Sequence, residues 1–388
     1  MRSTKSSPHP LLAPVAAVLA LVAAGPLAAQ PPGLTLPPSG DNQRGEVTQH
    51  LGLVTVTVEY SSPNVTGPTG QDRRGAIWGQ LVPWGLAPNN FGTATEIPWR
   101  AGANENTVVE VSHAVEVEGK PLPAGRYGLH MIPQENGPWT VIFSNDSTSW
   151  GSFFYSPEHD ALRVEVTPEQ APFREWLTYD FTDRERDSAT LALHWEELRV
   201  PIRLSVPDLT GLYITRIDQQ LRSSPGFSWQ SWNAAAQFLL SEDRELEQAL
   251  EWAQAAISSP FIGQSNFATL STKGQVLARL GQDDAAEEVL TAAIDHPTAD
   301  PLQVHQLGRV LLTQGDTETA LAVFRRNYEK QQGGWPTHVG MARGLSAVGD
   351  LKQALEHARK AFEQAPDPVN KQNLEQMVKD LEAGKAVS

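Results

Sequence analysis

Cysteine is absent from all 388 residues, which excludes disulfides, thiolate metal sites and a cysteine nucleophile together. Also missing are a Gly-x-Ser-x-Gly elbow, a His-Glu-x-x-His helix and a glycine-rich loop ending in Lys-Ser/Thr. Positive charge is scarce: 30 Lys and Arg stand against 45 Asp and Glu, a formal net charge of −15. Such a surface repels phosphate backbones and anionic headgroups, which argues against nucleic acid and membrane-surface partners. Beyond the N-terminus no apolar run is long enough to span a bilayer.

The N-terminus itself reads MRSTKSSPHPLLAPVAAVLALVAAGPLAA over residues 1–29, with Arg2 and Lys5 ahead of an Ala/Leu/Val run and small residues at Ala28 and Ala29. That order is the pattern of a secretory signal peptide, so a periplasmic or secreted protein without a membrane span after signal removal is expected. Residues 30–46 are rich in Pro and Gly and read as a flexible leader.

From 47 to 206 the hydrophobic period is two. Val54, Val56, Val58 and Tyr60 alternate with Thr55, Thr57 and Glu59, and similar segments recur through Leu198 to Val206, separated by turn signals such as Glu118-Gly119-Lys120. Many short strands without intervening helical patterns predict an all-β sandwich, jelly-roll-like or immunoglobulin-like.

After Pro207 the period becomes helical. Leu209, Leu212, Tyr213, Ile217 and Leu221 predict a connecting helix within 207–228. Beyond it, Gly281, Gly315 and Gly349 recur at the 34-residue interval of tetratricopeptide repeats. Three other columns keep that interval: Ala286, Ala320 and Ala354; Leu277, Leu311 and Leu345; Gly274, Gly308 and Ala342. Small residues let paired helices approach, and turn glycines permit a left-handed backbone. The repeats are assigned to 229–366, with an out-of-phase first copy around Trp229 to Pro260, and 367–388 is read as a capping helix and tail. Stacked repeats form a groove suited to a protein or peptide partner.

Chemistry-bearing residues are sparse. The histidines are scattered, with no metal-ligand spacing on a predicted helix face, so no metal, cofactor or catalytic set is assigned. Trp139 and Trp195 fall on inward strand faces and are read as core, while Trp78, Trp84 and Trp150 lie in predicted loops or strand ends where a glycan could stack. The stretch WRAGANENT, Trp99 to Thr107, holds Arg100, Asn104 and Glu105 among small residues. It reads either as an Arg100–Glu105 internal ion pair pinning a turn, or as a polar ligand cluster of Arg100, Asn104, Glu105, His130, Trp150 and Tyr155.

That stretch, together with LPAGRYGLHMIP (122–133), WTVIFSN (139–145), WGSFFY (150–155) and LRVEVTP (162–168), resembles the bacterial domain of unknown function 2911 family over about Gln49 to Val206. The resemblance implies an exported β domain and brings no activity or site residues. It departs from the family after LVPWG (81–85), where Leu86 to Pro98 intervene before the Trp-Arg motif. The expectation is an exported, non-catalytic binding or scaffolding protein of the bacterial cell envelope. The alternative is a β domain that binds a glycan or small ligand, or hydrolyses one.

Overall fold

The computed structural model describes residues 42–387. The expected signal peptide and the leader up to residue 41 lie outside the described residues. Among the described residues twelve strands come first: β1 (Gln43–Leu51), β2 (Val54–Ser62), β3 (Ala87–Pro88), β4 (Glu96–Ile97), β5 (Thr107–Val111), β6 (Val115–Val117), β7 (Lys120–Leu122), β8 (Gly125–Ile132), β9 (Trp139–Ser144), β10 (Asp160–Val166), β11 (Glu169–Thr182) and β12 (Ser188–Ser205). They form an antiparallel six-stranded sheet in the order β1-β2-β5-β8-β9-β10 and a four-stranded sheet in the order β11-β12-β6-β7, with β3-β4 a separate hairpin. Inward positions such as Val54, Val56, Val58, Leu129, Phe143, Leu191 and Trp195 are buried in one shared core, as period-two patterning requires.

Strand β1 corrects the leader boundary. Residues 43–46, expected in the flexible segment, pair with Glu59 to Ser62 of β2 in register, and Arg44 Nη2 meets Glu59 Oε2 at 2.8 Å. A strand can be polar when its neighbour supplies the ladder, and the burial pattern of β1 shows exposed and half-buried positions until Leu51. Strand β12 runs unbroken from Ser188 to Ser205, although Glu196 within it takes a positive φ of 54°.

Among the described residues ten α-helices follow: α1 (Leu209–Leu221), α2 (Trp229–Glu242), α3 (Leu246–Ser258), α4 (Phe267–Arg279), α5 (Asp283–Asp295), α6 (Pro301–Thr313), α7 (Thr317–Lys330), α8 (Trp335–Ala347), α9 (Leu351–Glu363) and α10 (Pro368–Glu382). Helix α1 is the expected connector: Asp208 caps it, and Leu209 is buried in the sandwich core. Helices α2 to α9 form four antiparallel pairs, and α10 covers the last of them. Gly281, Gly315 and Gly349 sit in the turns at φ of 70°, 84° and 88°. A Cβ on Gly274 would stand 2.6 Å from Leu290, so only a bare backbone allows α4 that close to α5. The α2–α3 turn makes the same bend without glycine, through Asp243 and Glu245 at positive φ, which is why the first copy lacks the glycine column. No helix among the described residues is long and apolar enough to cross a membrane.

Candidate functional site

The WRAGANENT loop is fixed at both ends. Trp99 and Met131 exchange backbone hydrogen bonds of 2.8 and 2.7 Å, which delivers Arg100 to one end of the sandwich. Ala101 and Asn104 then take left-handed backbones, at φ of 52° and 57°. Asparagine tolerates that region, whereas alanine is strained in it. The strain at Ala101 is held by its surroundings: the residue is fully buried, and its carbonyl accepts from Tyr179 Oη at 2.8 Å and Thr107 Oγ1 at 3.1 Å.

These two reversals separate Arg100 from Glu105, and the expected internal ion pair does not form. Arg100 Nη1 donates to the Asn104 carbonyl at 2.6 Å, its Cζ lies 5.1 Å from the Phe153 ring centroid, and the side chain crosses Gly151, where a Cβ would stand 2.5 Å from Cζ. Glu105 is exposed and accepts from Ser61 Oγ at 3.3 Å. Burial holds the Arg100 pKa below the ordinary arginine value, and no carboxylate offsets it. In the full chain, Glu105→Ala should therefore change stability by less than about 0.5 kcal/mol. Arg100→Ala should cost about 1–2 kcal/mol through the lost hydrogen bond and ring contact. The double variant should be additive, and a coupling above about 0.5 kcal/mol in a thermal denaturation cycle would restore the ion pair.

Of the remaining members of the expected cluster, His130 and Tyr155 pack together with ring centroids 5.5 Å apart and His130 feels the Arg100 charge, whereas Glu105 and Trp150 lie elsewhere. His130 is 2% exposed with Nδ1 2.8 Å from Ser152 Oγ, and burial, reinforced by the Arg100 charge, pushes its pKa down to about 4. Tyr155 donates to Asp160 Oδ2 at 2.9 Å and accepts from Arg163 at 2.6 Å, and burial pushes its pKa up. Glu105 and Trp150 line a separate cavity of about 230 Å³ with Glu59 and Arg126. Of the six residues, only Arg100 and Asn104 share the larger cavity of about 440 Å³.

That larger cavity is lined also by Arg73, Asn64, Trp99 and Trp195, which the sequence reading did not single out as site residues. Arg73 donates from Nε to the Val65 carbonyl at 3.1 Å and from Nη2 to the Asn64 carbonyl at 2.7 Å. Trp99 and Trp195 stack with centroids 6.3 Å apart and planes 18° from parallel. Trp78 packs edge-on against both and against Trp139, which Trp84 also meets. Trp78 and Trp84 thus belong to the packed end of the core, and of the three tryptophans considered for stacking on a sugar only Trp150, 56% exposed, stands out in solvent. The Leu86–Pro98 insertion carries the β3–β4 hairpin and braces the Phe153 segment, with Phe91 edge-on to Phe153 at 5.5 Å and Asn89 Nδ2 donating to the Phe153 carbonyl at 3.3 Å. The insertion therefore backs the Arg100 site and does not line the cavity.

In the helical part, α6 and α8 lie side by side and bring together His305, Arg309 and Arg343. Arg343 Nη1 lies 3.4 Å from His305 Nε2, and its buried Nε has no partner among the described residues. Burial first, then the Arg309 charge, lowers the Arg343 pKa, and burial with both guanidiniums lowers that of His305 to about 4. Arg309 and Arg343 occupy the same repeat column, directly after Gly308 and Ala342.

Fold and residues together define a β-sandwich protein that continues into a tetratricopeptide-type helical repeat. Residues 42–204 match the model of the family described as "Protein of unknown function (DUF2911)", in agreement with the resemblance carried by the WRAGANENT segment. No curated protein matches the chain. Solved structures similar to it include YrrB, described as a TPR protein with an unusual peptide-binding site, at 20% identity over 42% of this chain and 81% of that one, TM-score 0.27. Another is TTC0263, a thermophilic TPR protein in Thermus thermophilus, at 16% identity over 44% and 89%, TM-score 0.29. A third is MamA from Desulfovibrio magneticus RS-1, at 16% identity over 41% and 97%, TM-score 0.24.

Proposed function

We propose that this chain is an exported, non-catalytic binding protein of the bacterial cell envelope whose helical repeat holds an acidic segment of a protein partner against α6 and α8. The observation that carries the reading is the Arg309–Arg343–His305 group, in which Arg343 Nε is buried without a partner and neither guanidinium forms an ion pair among the described residues, although acidic residues outnumber basic ones in the chain. A half-buried guanidinium without a carboxylate is costly to keep, and a partner's carboxylate would offset that cost. Guanidiniums neither give nor take protons at neutral pH, so the group suits holding an anion rather than acid–base chemistry. Export rests on the residue 1–29 pattern and the cysteine-free composition.

The test is fluorescence anisotropy of a labelled glutamate-rich decapeptide titrated with the chain lacking residues 1–29. Binding should weaken as salt rises and should fall at least tenfold in Arg309→Gln and in Arg343→Gln, while a glutamine-rich peptide should not bind. Equal affinity for the wild type and both variants would remove the reading.

A further inference from the structure

We propose that the 440 Å³ cavity at the end of the sandwich, between Arg73 and Arg100, is a binding site for a small organic carboxylate whose body lies against Trp99 and Leu81. This site is independent of the helical-repeat surface.

The cavity lining contains two guanidiniums and three carboxamides, those of Asn42, Asn64 and Asn104, but no Asp or Glu. That is a local inversion in a chain of net charge −15. Arg73 and Arg100 donate to backbone carbonyls, so each keeps its full positive charge, and neither forms an ion pair among the described residues. Carbonyl partners orient a guanidinium without neutralising it, which leaves the charge to act on whatever enters.

The position of Arg100 is built rather than incidental. The strained Ala101 backbone, the left-handed Asn104 whose carbonyl receives Nη1, the bare Gly151 beneath Cζ and the Phe153 ring all fix it. A left-handed backbone at a buried alanine persists only where the surroundings enforce it, and such strain gathers at binding and catalytic sites.

Trp195 is 1% exposed and lines the cavity, yet its indole Nε1 has no hydrogen-bond acceptor among the described residues. The indole nitrogen is covered by protein, so an entering molecule meets the half-buried Trp99 and the exposed Leu81 rather than this donor. The volume falls within the range of small-molecule sites, and Pro63, Val82 and Leu81 add apolar residues to the lining. An inorganic anion would meet the guanidiniums but leave the Trp99 indole and Leu81 uncovered, so the lining favours a carboxylate carried on a ring or short apolar body.

The experiment is isothermal titration of the chain lacking residues 1–29 with glucuronate, benzoate and indole-3-acetate, each beside a neutral counterpart: glucose, benzyl alcohol and indole-3-ethanol. At least one carboxylate should bind with a Kd below about 1 mM and its neutral counterpart at least tenfold more weakly. Arg100→Gln should weaken that binding at least tenfold. Because Arg100 also braces its loop, Leu81→Glu supplies a second variant at a position 47% exposed, where folding is not at stake. The added carboxylate should repel the ligand, and Leu81→Gln should bind as the wild type does. No binding of any of the three acids, equal binding of an acid and its neutral counterpart, or affinity unchanged in both Arg100→Gln and Leu81→Glu would overturn the assignment. None of these outcomes bears on the α6–α8 surface.

Discussion

Phe324→Ala is expected to destabilise the helical repeat by about 3–5 kcal/mol, the range for deleting a buried aromatic ring. Phe324 is fully buried on α7, and its ring fills the space left by three glycines. A Cβ on Gly308 would run into the ring, one on Gly340 would stand 2.6 Å from it and one on Gly344 2.9 Å from it. Three of the ring's neighbours are bare backbone with no side chain to refill the void, so relaxation is left to others such as His305, whose ring lies 5.5 Å away. The loss should be greatest for α6 to α8, since each repeat is stable only through its neighbours. Hydrogen exchange in α6 and α8 should accelerate while the strands keep their protection. Phe324→Leu, which refills part of the volume, should recover a substantial share. A Phe324→Ala protein with unchanged exchange in α6 and α8 would show that the ring does not join the repeats.

The second large effect is with pH. His130 is neutral in the folded sandwich, with a pKa lowered from 6.5 to about 4. Above pH 6.5 the imidazole is neutral in both states and contributes no pH dependence. As pH falls from 6.5 towards 4, the unfolded chain binds a proton that the folded one excludes, so stability declines, and below about 4 the loss is complete. A shift of this size corresponds to about 3 kcal/mol, or a fall of roughly 6–12 °C in midpoint for a domain of this size. The chain with His130→Gln should lose that much less than wild type between pH 7.5 and pH 4. His305 and His338, which are also lowered to about 4, are common to both proteins and cancel in the comparison. Parallel pH profiles would mean that His130 takes up its proton in the folded state.

The parts of the fold that could be read in advance are those where one physical rule repeats. Strand β2 buries alternate residues over most of its length, and the 34-residue columns place Gly281, Gly315 and Gly349 in turns and Ala320 and Ala354 in helix contacts. Strand β1 escaped because its side chains before Leu51 are exposed or half-buried and its order comes from the ladder with β2.

The site was less legible for a related reason. Spacing in WRAGANENT invites an Arg100–Glu105 pair, but the left-handed Ala101 that parts them is stabilised by Tyr179, a residue 78 positions away. Arg73 and Trp195 meet Arg100 only after the sheets pack, and nothing local marks them. The Arg309–Arg343 column was different. It lies one place after the small-residue column and could have been found by asking which polar residues also keep the repeat.

The most direct test of a partner-holding face on the repeat is hydrogen exchange of the chain lacking residues 1–29, with and without the glutamate-rich decapeptide at saturation. Protection should rise in α6 (Pro301–Thr313) and α8 (Trp335–Ala347) and be lost in Arg343→Gln, with the strands unchanged. Unchanged exchange in both helices, or protection centred on the sandwich, would contradict it.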